Sequence, residues 1–146
     1  MSVDTQTETT DKITYLQMVQ STIDRMSTTS AIFKGFCATI ITGISAVSFT
    51  DINEWILLLG IIPVLCFFVL DMYYLRLEKR FRFLYKSIRK GEKEIDFALE
   101  PPKAKDIPTK EASIKQCLKS PSIYLFYTML IVISLLVVVF KFTGVV

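Results

Sequence analysis

The chain has 146 residues, 51% of them hydrophobic, and a formal net charge of +3 at pH 7. A mean hydropathy of +0.45 is too high for an ordinary water-soluble domain of this size, because polar groups could not cover its surface. There is no histidine, which removes the commonest general base and the commonest metal ligand.

Residues 1–10 are expected to form a polar, frayed N-terminal tail, with none of the short apolar segment behind a basic start that marks a secretory signal. Thr10 is placed to N-cap a helix, with Asp11 favourable in its first turn. Leu16, Val19, Ile23 and Met26 then recur at spacings of three and four, the seam of an amphipathic helix. No proline interrupts the run, so this helix is expected to continue into an apolar span centred on Gly35 to Phe49.

A tight hairpin follows. Asp51 is placed to cap the next helix, Glu54 completes a capping box, and Trp55 sits where an interfacial aromatic belongs. Trp55 to Leu70 is a second span without a charge, and Pro63 within it predicts a kink. Past Asp71 the helix should leave the membrane, carrying Tyr74, Leu77, Phe81, Leu84 and Ile88 as a second seam. Glu78 and Arg82 are spaced for an i,i+4 ion pair, and Gly91 after Arg89 and Lys90 reads as a helix stop. The two seams match, which predicts that the extensions pack antiparallel as a short cytoplasmic stalk. Residues 11–91 thus form one region of amphipathic helix, transmembrane hairpin and cytoplasmic extension.

Residues 92–120 read as a cytoplasmic loop broken by Pro101, Pro102 and Pro108, with Thr109 capping a short helix over 110–119. Glu92, Glu94 and Asp96 lie in the loop beside lysines and read as a solvated face rather than a metal site. Residues 121–146 hold a third span, with Ser120 as N-cap, Pro121 at the first helical position and no charge from Ile123 to Phe140. The fold class is therefore all-α, with three transmembrane helices. Cys37, Cys66 and Cys117 have no metal-like or redox-like spacing and read as small apolar filler.

Charge orients the spans. Lysine and arginine crowd the segment between Met72 and Pro121 and precede the first span at Lys12, Arg25 and Lys34. The hairpin has none, and only Lys141 follows the third span. This bias predicts a cytoplasmic N-terminus and an outer C-terminus. Acidic residues share the basic loop, so lipid headgroups are its expected anionic partner and nucleic acid is not.

Asp71 needs a partner. A lone charge at mid-membrane costs roughly 2.5–3.5 kcal/mol on translocon scales, and less near the edge. Measured from the hairpin, Lys34 lies at the same depth on the preceding helix, so Lys34 or Arg25 should face Asp71. Such a pair fixes helix register, or serves as a gate or proton-sensitive latch. A second signal lies on the first span. Gly35, Thr39 and Gly43 repeat every fourth residue, beside Thr42 and Ser45. Small residues at this spacing mark either close helix packing or the wall of a narrow pore, both at a helix–helix interface.

The blocks YLQMVQSTIDRMSTTSAIFKG and LDMYYLRLEKRFRFLY, separated by a hairpin, resemble a family of small bacterial membrane proteins. That family carries YLQ…I.RM..NS…KGW and LD.YYL..ER.FR.LY blocks. The resemblance covers Tyr15 to Tyr85 and a similarly placed third span. This chain departs from it with Phe36 in place of tryptophan and Lys79 in place of arginine. The resemblance marks Lys34, Asp71, Glu78 and Arg82. It implies the bacterial inner membrane and a membrane component of a defence system.

No glycine-rich phosphate loop, nucleophile elbow or metal cluster is recognisable, so neither catalysis nor a cofactor is expected. Two readings remain. One is a homo-oligomeric membrane effector that opens a pore or defect. The other is a non-conducting scaffold whose loop recruits a cytoplasmic partner protein.

Overall fold

A computed structural model describes residues 2–48, 61–108 and 111–143. Helices α1 (Ser2–Ser48), α2 (Ile61–Lys90), α3 (Ile114–Leu118) and α4 (Pro121–Phe142) account for most of them, and no strand occurs among the described residues. The hairpin with Asp51, Glu54 and Trp55, and the proposed cap Thr109, lie outside the described residues. Pro63 stands at the start of α2, and the hydrogen bond whose loss predicts a kink would reach residue 59, also outside them.

The start of α1 corrects the expected tail. Thr10 is not a cap, because the helix already runs from Ser2, and its hydroxyl donates back to the Gln6 carbonyl at 2.9 Å. The segment has no apolar seam to announce a helix, but it also has no glycine or proline to stop one. At the other end, α2 stops in a Schellman motif. Gly91 adopts φ +76, its N–H donates to the Ile88 carbonyl, and the Glu92 N–H donates to the Ser87 carbonyl.

The short helix is also corrected. It spans only Ile114–Leu118, and the Ser113 carbonyl accepts from the N–H groups of Gln116 and Cys117. The next start agrees with expectation. The Ser120 carbonyl accepts from Ile123 and Tyr124, with Pro121 at the first position of α4.

The chain divides into two compact units. The first comprises residues 1–29 and 74–117. Its core collects Tyr15, Val19, Ile23 and Met26 from α1 and Phe81, Leu84 and Ile88 from α2, with Leu16 and Leu77 packed on its margin. Glu78 is buried at 8% exposure, yet Arg82 Nη2 lies 2.7 Å from its Oε1.

The second unit comprises residues 30–73 and 118–146. Its helices carry large apolar side chains outward: Leu65 and Val69 on α2, and Leu125, Met129, Ile131 and Leu135 on α4. Two helical stretches, Gln6–Val47 and Pro121–Phe140, are long and apolar enough to cross a membrane. Only 11% and 17% of their most apolar windows are buried, unlike the mostly buried core helix of a water-soluble fold. Of the middle uncharged run, 61–70 is described.

Candidate functional site

In the second unit, α1 and α2 bring Ser30, Lys34 and Asp71 into one polar ring. Ser30 and Lys34 lie one turn apart on α1, so both side chains face α2. Lys34 Nζ lies 2.7 Å from Asp71 Oδ2 and donates to Ser30 Oγ at 2.8 Å. The Ser30 hydroxyl in turn donates to Asp71 Oδ1. Asp71 is fully buried and Ser30 nearly so, while the Lys34 side chain keeps 16% of its exposure. Oδ1 thus accepts a hydrogen bond, while Oδ2 is compensated by the charge of the adjacent ammonium and has no hydrogen bond of its own among the described residues.

Lys34, not Arg25, is the residue that meets Asp71. Arg25 is exposed and belongs to the first unit, so the alternative pairing is corrected. The Tyr127 hydroxyl on α4 is buried beside Asp71 and the Cys37 thiol, without a hydrogen-bond partner among the described residues. Aromatic rings flank the ring of polar groups. Phe67 lies 5.8 Å from Phe33 and 5.9 Å from Phe36, and Phe68 meets Tyr127 edge-on at 4.9 Å.

The small-residue face of α1 is largely open among the described residues. Gly35, Thr39, Thr42 and Gly43 are exposed, and a Cβ built at Gly35 or Gly43 would meet no atom within 4 Å. Among the described residues, the expected close helix–helix approach does not form at these two glycines. Thr39, Thr42 and Ser45 donate to the carbonyls of Gly35, Ala38 and Ile41, so their hydroxyls are satisfied without water.

In the first unit, charges counted for orientation fasten the loop. Arg80 donates through Nε to the Pro102 carbonyl at 2.8 Å and through Nη2 to the Pro101 carbonyl at 3.1 Å. Arg76 Nε donates to the Ala112 carbonyl at 3.0 Å. These two side chains satisfy carbonyls that a proline-broken loop leaves without backbone partners.

Tyr15 closes the start of the same loop. Its hydroxyl lies 2.9 Å from Asp96 Oδ1 and 2.6 Å from the Ala98 carbonyl, so one proton is shared between two acceptors. Its ring packs 5.5 Å from that of Phe97, a non-glycine residue held at φ 54. Burial, and then the Asp96 carboxylate, push the Tyr15 hydroxyl up to about 12. The Ala98 N–H, and then the Tyr15 hydroxyl, hold Asp96 below its ordinary carboxylate value. Asp96 is therefore a latch as well as part of a solvated face. Burial raises the Cys117 thiol, with Lys79 and Arg76 opposing.

All three cysteines are free, and no group of three or more metal-binding side chains occurs among the described residues. The roles of Ser30, Tyr127, Arg76, Arg80 and Tyr15 in these contacts were not expected from the sequence. Only Ser30 had a local signal, its place four residues before Lys34 on the face turned to Asp71. No protein-family model, curated protein or solved structure matches the chain.

Proposed function

We propose that this chain is a homo-oligomeric membrane effector of a bacterial defence or stress system, whose bundled copies open a pore or defect in the inner membrane. Three helices cross the bilayer, the third provided by the run that continues α2 toward the hairpin. The N-terminus is cytoplasmic and the C-terminus lies outside. The α1–α2 extensions form an antiparallel cytoplasmic stalk. The Ser30–Lys34–Asp71 ring fixes the rotation of the hairpin helices against each other.

The observation that carries this reading is the open small-residue face of α1. Among the described residues Gly35 and Gly43 meet no neighbour, which leaves this close-packing surface of the span for another copy. The self-satisfied hydroxyls of Thr39 and Thr42 suit such an interface, or a pore wall once copies assemble. The resemblance to defence-associated membrane components supports the setting.

The alternative is a non-conducting scaffold. It is supported by the fastening of the loop through Arg76 and Arg80, which gives the first unit a shaped surface for a partner protein.

Membrane potential during induced expression tests the choice, with wild type beside Thr42→Leu at equal protein level. Depolarisation by the wild type and its change by Thr42→Leu support the effector. A stable potential in both, together with no cross-linked species from Thr39→Cys, overturns it in favour of the scaffold.

A further inference from the structure

A cavity of about 600 Å³ in the first unit is lined by Arg76, Lys105 and Lys115, with the polar Ser113 and the apolar Ile107 and Ile114. Three cations line one space with no acid among them, and the nearest acids in sequence, Asp106 and Glu111, are not part of its wall. No ion pair to Arg76, Lys105 or Lys115 occurs among the described residues. One side of the wall is held in place. Arg76 is oriented by its bond to the Ala112 carbonyl, Ala112 is fully buried, and Ile107 is nearly so. An uncompensated cluster of this kind fits a phosphate, and the planar guanidinium of Arg76 keeps N–H groups beyond its Nε to offer to phosphate oxygens.

Two observations choose the source of that phosphate. Arg76 follows the end of the uncharged run at Leu70 by less than two helical turns, and Lys115 precedes Pro121, where the apolar α4 begins, by a similar stretch of chain. Both walls thus belong to segments at the ends of apolar helices. Ile114 lines the cavity with 55% of its surface exposed, an apolar contact that free phosphate does not use and a lipid does. We infer that this cavity holds the phosphate of an anionic phospholipid, with the lipid's glycerol and upper chain against Ile114. The inference rests on the membrane placement above but not on pore formation.

The test uses the full chain. Carbonate extraction first establishes that the protein is integral to the membrane, so failure of that placement shows separately. The detergent-solubilised protein is then titrated with dihexanoyl phosphatidylglycerol, dihexanoyl phosphatidylcholine and inorganic phosphate. The wild type should prefer phosphatidylglycerol over the choline lipid by tenfold or more, and Lys105→Gln/Lys115→Gln should weaken it about thirtyfold, from ~1 kcal/mol per basic residue near an anionic lipid. The charge-matched Lys86→Gln/Lys103→Gln, whose positions are exposed and outside the cavity, should bind as wild type. Equal affinity for the two lipids, equal loss in the control variant, or inorganic phosphate competing as strongly as the lipid would each overturn the inference.

Discussion

Removing one partner of the Lys34–Asp71 pair should cost far more than removing both. In Lys34→Met the carboxylate stays fully buried with only Ser30 donating to it, and breaking a buried pair this way costs ~3–5 kcal/mol. In Asp71→Leu the stranded ammonium retains 16% exposure and a flexible stem able to snorkel toward headgroups, so the cost falls nearer ~2–3 kcal/mol. In Lys34→Met/Asp71→Leu no charge is left, and well-packed apolar replacements of buried pairs are commonly neutral or stabilising. The double variant should therefore lie within ~1 kcal/mol of wild type, giving a coupling energy of at least ~4 kcal/mol, above the usual ~0.5–3 kcal/mol for residues in contact. The assay is a double-mutant cycle of reversible unfolding in mixed micelles, accompanied by membrane accumulation of each variant. Single variants that each cost under ~1 kcal/mol and add in the double would refute the reasoning.

Tyr15 predicts a dependence on alkaline pH. Its folded value of about 12 lies above the ordinary tyrosine value near 10, so its contribution is complete below about 10 and is lost as pH rises toward 12. Stability measured from pH 9 to 12 should decline over that window, and Tyr15→Phe should flatten the decline while lowering stability at pH 9; an unchanged slope would sink the assignment. Arg80→Gln should free the loop around Pro101 and Pro102, because two charge-assisted bonds worth ~1.5–3 kcal/mol each are lost. Limited proteolysis should then cut within 92–108 at least tenfold faster than in wild type, and an equal rate would show that these bonds do not hold the loop.

Where the fold was legible in the sequence, the reason is periodicity. Val19, Ile23 and Met26 recur at helical spacing, as do Phe81, Leu84 and Ile88, and they meet in one core because apolar positions that share a face have to be buried. The depth count that placed Lys34 opposite Asp71 relied on two helices joined by a short hairpin, a constraint the chain carries locally. The start of α1 was hidden because a polar helix has no seam. The roles of Arg76 and Arg80 were hidden because they depend on the path of a loop folding back on α2, and no local pattern encodes that path. Their charge was read for topology alone, although a guanidinium carries five donors as well as a charge.

The length of α1 has a mechanical consequence. A helix of 47 residues is about 70 Å long at 1.5 Å per residue, against about 40–45 Å for a bilayer with its headgroups. If it crosses upright, at least ~25 Å of the same rod must stand in water.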